Sequence, residues 1–234
     1  FGIIALAALI HASFQLSVSV VTLLSAHTIG RKASNKKMMR LVGGFLLGVL
    51  TMTMLFVAFI GFTASRVVTN SNTSLMWAIV SGLMMGVGFA VWAVYYRHKN
   101  GTSLWLPRYL ARFLMDRTKQ TNLVAESFSL GLTSVVAESI FIVAPTLGAA
   151  LALLTLPADL QIAGIIAYTI VANLGLFIVI VLIGGGHKIS RIQKWRETNK
   201  RFLQFAAGSA LLVLGLYIYV NQVLTVTVVA PGSL

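Results

Sequence analysis

The sequence predicts an all-α integral membrane protein: six transmembrane helices arranged as a 3+3 inverted repeat, with both termini external (N-out and C-out). Three observations carry that prediction. The 234-residue chain is 58% hydrophobic and only 10% charged, whereas soluble domains average about 25% charged residues, so there is too little polar side chain to coat a water-soluble fold. Six apolar stretches approach or exceed the ~20 residues that cross a bilayer. Lys and Arg outnumber Asp and Glu by 18 to 5, and they fall almost entirely in three of the segments between those stretches.

The predicted spans run from Ile3 to Thr28, Leu41 to Ala64, Leu75 to Tyr96, Leu123 to Leu154, Leu160 to Ile183 and Phe202 to Val220. The segments Arg31 to Arg40, Arg97 to Lys119 and Lys188 to Arg201 hold 17 of the 18 basic residues, leaving only Arg66 on the other side. Short loops rich in Lys and Arg stay in the cytoplasm, so these three are expected inside and the termini outside. The opposite connections are small and polar, Ser65 to Ser74, or tight and proline-punctuated, Thr155 to Asp159. The expected organisation is residues 1–96 as a first three-helix unit, 97–122 as a connector and 123–234 as a second unit. The chain opens Phe1-Gly2-Ile3-Ile4, which reads as a trimmed start, with what precedes it left open.

The connector has its own pattern. Leu106, Leu110, Phe113 and Leu114 recur at helical spacing, Arg108, Arg112 and Asp116 fall on another face, and Pro107 suits a first turn. Trp105 and Tyr109 suit the headgroup level, so the segment reads as an amphipathic helix attracted to anionic lipids of the cytoplasmic leaflet. The net charge of +13 is thereby assigned to topology and lipid. Nucleic acid is not an expected partner; a second copy or another membrane protein remains an open possibility.

With no cysteine in the chain, thiolate clusters, cysteine nucleophiles and dithiol relays are excluded. No P-loop, nucleophile elbow or His-Glu-x-x-His pattern is present. No cofactor is implied, and the sequence leaves a metal open.

Ser13-Phe14-Gln15-Leu16-Ser17 in the first span and Ser127-Phe128-Ser129-Leu130 in the fourth open the two three-helix units with similar polar helices. An odd number of spans per unit makes the second copy enter from the opposite side, the plan of many secondary transporters. Gly30-Arg31-Lys32 closing the first span, Gly43-Gly44-Phe45-Leu46-Leu47-Gly48 opening the second, and Lys188-Ile189-Ser190-Arg191 followed by a Leu/Gly-rich last span complete a layout that resembles the LysE-like superfamily of small exporters and its relatives in the CcdA/DsbD group. The resemblance implies a six-span transporter fold and export. The paired cysteines of the CcdA/DsbD group have no counterpart here, so its thiol chemistry is not implied. The proline-glycine break of LysE exporters in the first span is also absent, and their amino-acid substrates are not carried over.

Ionisable groups in hydrocarbon cost at least ~2.5 kcal/mol, and each needs a reason. Glu138 lies fifteen residues into the fourth span with no basic residue nearby, on one stripe with Ser127, Gly131 and Ser134. His11, Gln15, Ser19, Thr22 and Ser25 form a polar stripe on the first span. Glu138 and His11 are expected to face each other as a titrating pair or cation site, with Gln15, Ser19, Ser134 and Asn173 of the fifth span lining the same cavity; interhelical hydrogen bonding alone is the plainer alternative. Pro145 removes the donor to the Phe141 carbonyl and is expected to break the fourth helix. Glu126 reads as a helix cap, and the pairs Gly44/Gly48 and Gly82/Gly86 as close-packing sites.

The leading expectation is a secondary transporter, not an enzyme, that moves a small solute or cation coupled through Glu138. It would be a multi-pass protein of a bacterial plasma (inner) membrane. Two other classes stay in play: a non-transporting scaffold or accessory subunit of a larger complex, and an intramembrane enzyme using His11 and Glu138 on a lipid-borne substrate.

Overall fold

A computed structural model describes residues 1–14, 16–30, 35–95, 108–186 and 189–225, which are helical nearly throughout and contain no strand. In chain order the helices are α1 (Gly2–Ser13), α2 (Leu16–Gly30), α3 (Asn35–Val67), α4 (Thr73–Ala90), α5 (Arg108–Gln120), α6 (Val124–Leu154), α7 (Ala158–Ala172), α8 (Leu174–Gly184), α9 (Ile189–Thr198) and α10 (Lys200–Ile218). The ends of α4 and α10 continue as π-helical turns, Val91–Tyr95 and Tyr219–Leu224. Four helices are long and apolar enough to cross a membrane, and two bent pairs, α1 with α2 and α7 with α8, raise the number to six if each pair is one span. The chain is thus an all-α, multi-pass membrane protein.

The fourth predicted span, α6, is the centre of the bundle. Its most apolar window is 67% buried, against 33% for α3, α4 and α10, and it packs on α3, α1, α4, α2, α5 and α7. Composition explains the difference: α6 carries small residues such as Ser127, Gly131, Ala137, Gly148 and Ala149 where neighbours press on it. The outer helices instead leave Leu47, Phe59, Ile162, Val181 and Val213 exposed, the apolar surface a lipid chain covers.

The α3–α6 contact depends on three glycines. A methyl group at Gly48 would collide with the Phe128 carbonyl oxygen, and one at Gly131 with that of Phe45; at Gly44 it would lie 2.8 Å from the Val124 side chain. The second expected pair is different: Gly82 and Gly86 face open space. On α4 and α10 the close approaches are at Gly88 and Gly215: a methyl group added at Gly88 would lie 3.0 Å from the Gly208 carbonyl oxygen, and one at Gly215 3.0 Å from that of Ser81. Four-residue spacing identified a stripe on α4 but could not say which stripe met a neighbour.

Three breaks differ from expectation. The first span is not one helix: α1 ends at Phe14, which is extended (φ −82°, ψ 114°), after the Ser13 hydroxyl turns back to the Ile10 carbonyl at 2.6 Å and the Phe14 amide closes a tight turn on His11. The fifth span bends by 50° at Asn173, whose side-chain amide donates to the Thr169 carbonyl at 2.9 Å, while its backbone amide bonds three residues back to Ile170. The predicted helix break at Pro145 does not occur, and α6 runs on to Leu154 with the proline inside it. Pro145 is buried, and packing on all sides holds the helix together despite the lost donor. The adjacent Thr146 hydroxyl donates to the Ile142 carbonyl at 2.7 Å.

The helical connector is present as α5, with Leu114 buried and Tyr109 exposed; Trp105, Leu106 and Pro107 lie outside the described residues. A second amphipathic helix, α9, forms in what the sequence offered only as a basic loop.

These contacts predict that Gly48→Ala or Gly131→Ala destabilises the bundle by about 1–3 kcal/mol, as overpacking does. Gly82→Ala is expected to be neutral or stabilising by up to ~1 kcal/mol, since it gains helix propensity without a clash. Reversible unfolding in detergent, followed by circular dichroism, distinguishes the two classes.

Candidate functional site

The principal polar cluster inside the bundle joins α1, α6 and α7. His11 is 4% exposed, and its Nδ1 lies 3.0 Å from the Tyr168 hydroxyl. That hydroxyl lies 2.9 Å from the Thr146 hydroxyl, which donates to the Ile142 carbonyl. A continuous line of hydrogen bonds therefore runs from an imidazole on α1, through a phenol on α7, to the backbone of α6. Glu138, 2% exposed, lies on the same helix as Thr146, eight residues before it. Phe14 stacks on Phe141, ring centres 5.8 Å apart, and packs α1 against α6 beside this line.

Helical rise puts Thr146 and Tyr168 at comparable depth: at ~1.5 Å per residue Thr146 is ~12 Å from the end of α6 and Tyr168 ~15 Å from the start of α7, while Glu138 lies ~12 Å deeper along α6 than Thr146. The line can hold a proton on the imidazole and pass it along its two hydroxyls, because each member offers both a donor and an acceptor in one of its states.

The residues expected at the site divide into three groups. Ser134 is fully buried on the Glu138 stripe, one turn before it, and its hydroxyl donates to the Gly131 carbonyl at 2.8 Å. Asn173 is buried at the α7–α8 bend and reaches Thr53 of α3 at 3.4 Å, so it ties the bend to the second span. Ser19 belongs elsewhere: its hydroxyl accepts from the Arg196 guanidinium of α9 at 3.0 Å. Gln15 lies outside the described residues. Glu126 caps α6 as expected, its carboxylate accepting the backbone amides of Asn122 and Leu123 at 2.8 and 3.0 Å. Ser127 ties α6 to α3 through the Leu41 carbonyl at 2.6 Å.

Tyr168 and Thr146 were missed. Both sit in long apolar runs, where one tyrosine or threonine is unremarked. The signal lay in the fifth span, where Gly164, Tyr168 and Ala172, with Thr169 and Asn173 beside them, repeat every four residues as small or polar positions on an otherwise lipid-like helix. Among the described residues no three or more His, Asp or Glu side chains gather as metal ligands.

No protein-family model matches the chain, and no curated protein or solved structure is detectably similar to it.

Tyr168→Phe removes the central hydroxyl and leaves His11 and Thr146 without their shared partner. The expected loss is about 0.6 kcal/mol and at most ~1.7, the range of interhelical hydrogen bonds in membranes. Combining Tyr168→Phe with Thr146→Val should cost less than the sum of the two single changes, read in a double-mutant unfolding cycle.

Proposed function

We propose that the chain is a secondary transporter of a small solute or cation in a bacterial plasma membrane, with proton or cation coupling at Glu138. The observation that carries this reading is the burial of the Glu138 carboxyl inside the bundle, on the helix to which the hydrogen-bonded line His11–Tyr168–Thr146 is anchored. A carboxyl at this depth is costly unless its environment serves its charge or its proton. An imidazole, a phenol and a hydroxyl on three different helices add further polar groups to the same interior, and their arrangement changes whenever those helices move.

The helix pairings support the 3+3 repeat. Exchanging spans one, two and three for four, five and six turns the α1–α7 contact into α6–α3, α1–α10 into α6–α4, and α2–α3 into α6–α7. The contacts α1–α6, α3–α7 and α4–α10 map onto themselves. A twofold relation between the two units, as in an inverted repeat, would produce this pattern, with α1 and α6 meeting at its axis. The basic segments place both termini outside by the positive-inside rule. Alternating access then consists of rocking one unit against the other, with the breaks at Phe14 and Asn173 absorbing the rotation. Export follows from the LysE-like resemblance.

Gradient-driven flux in proteoliposomes is the test. Wild-type protein should move a proton, cation or small solute down an imposed gradient, and Glu138→Gln should abolish the coupled flux while leaving the unfolding midpoint within a few degrees of wild type, as for a single substitution below ~1 kcal/mol. If both forms were equally silent across cation and amino-acid panels, the chain would instead be a scaffold.

A further inference from the structure

The amphipathic helix α9 does not lie loose on the bundle. It folds back so that Arg196 is 4% exposed and donates to Ser19 of α2 at 3.0 Å. Between α2, α8 and α9 this leaves a groove of about 460 Å³. Its wall is aliphatic, made by Val18, Val179, Leu182 and Ile192, and two guanidinium groups, Arg191 and Arg196, are part of the same lining. Trp195 also lines it and is 57% exposed, while Ile178 along one side is 59% exposed, so the groove is open along its length.

The chemistry of this lining is divided. Val179 and Leu182 belong to the uniformly apolar run of α8, the kind of surface hydrocarbon covers, whereas both arginines come from α9, in the most basic part of the C-terminal half. A soluble anion would not need the aliphatic wall, and an uncharged chain would not need two arginines. An occupant with an acyl chain and an anionic head matches both parts. Arginine is suited to a phosphate because its planar fork donates two parallel hydrogen bonds, and the exposed indole of Trp195 suits the interface between chain and headgroup.

We propose that this groove is a binding site for one anionic phospholipid, its phosphate held by Arg191 and Arg196 and one acyl chain lying along α8 against Val179 and Leu182. The bound lipid clamps α9 to α2 and α8, and so couples the last amphipathic helix to the half of the fifth span beyond the Asn173 bend. This site is separate from the Glu138 cluster and does not depend on the transport reading.

Trp195 provides the probe. Purified protein in detergent is titrated with phosphatidylglycerol carrying dibrominated chains, and in parallel with phosphatidylcholine carrying the same chains; quenching lost in Trp195→Phe is the signal from the groove. Each basic residue near an anionic head contributes severalfold, so wild type should prefer phosphatidylglycerol about tenfold or more. Arg191→Gln, at an exposed position, should cut that preference severalfold. Because Arg196→Gln risks unfolding a packed residue, Leu182→Phe provides the second variant: it fills the apolar wall, keeps both arginines, and should weaken phosphatidylglycerol quenching. Inorganic phosphate should not displace the brominated lipid. Equal quenching by the two lipids, a phosphatidylglycerol-selective component undiminished in Trp195→Phe, or full displacement by inorganic phosphate would each overturn the proposal, the last by showing a site for free anions.

Discussion

In hydrocarbon a polar atom has no water to fall back on, so a membrane-spanning chain that carries such atoms must supply their partners from its own helices. Here that requirement shapes the packing. His11, Glu138, Ser127, Ser134, Thr146, Tyr168 and Asn173 are all buried, and the contacts traced for them run between helices or back onto a helix backbone. The helix with most of these residues, α6, occupies the centre, because only a central position surrounds a polar stripe with other helices. The surrounding helices can then be lipid-like outside, and their exposed Leu, Phe, Ile and Val side chains are what hydrophobic composition must become once the interior is partly polar.

Close packing and polar satisfaction reinforce one another. Gly44, Gly48 and Gly131 let α3 and α6 approach until backbone meets backbone, and at that separation Ser127 reaches the Leu41 carbonyl. The weak hydrogen bonds of a membrane interior contribute little singly. Their effect here is positional: they fix which face of each helix looks inward, and the glycines fix how near it comes. The same logic places the two breaks. The chain leaves its helix at Phe14 and Asn173, where Ser13 and Asn173 offer local partners to carbonyls that a broken helix exposes.

Much of this was legible in the sequence, and the failures share a cause. Six apolar stretches and their basic flanks are long-range averages, which survive any detail of packing, and four to six membrane-crossing helices follow. Glu138 was legible because an isolated acid in an apolar run has few explanations, and Glu126 because its place in the first turn of a helix states its partner. Tyr168 was not, since tyrosine is equally at home at a membrane surface, and only the neighbouring helix makes it a bridge. Pro145 was over-read. A missing donor breaks a helix only where neighbours do not hold it, and in the most buried helix of the bundle they do. Ser19 was grouped with His11 by its angle on one helix, but the chain leaves that helix between them, so the common stripe does not exist. The Gly82 and Gly86 spacing failed in the same way, being a property of one helix when packing is a property of two.

What unites fold and proposed activity is the claim that Glu138 and Tyr168 share one buried electrostatic environment. Infrared difference spectroscopy of the protein in lipid, with pH as the variable, observes it directly through the carboxyl stretch. One protonated-carboxyl band, slow to exchange in deuterated water, should titrate in wild type, vanish in Glu138→Gln and shift in frequency and midpoint in Tyr168→Phe. A slow-exchanging band that survived Glu138→Gln, or one untouched by Tyr168→Phe, would contradict the shared site.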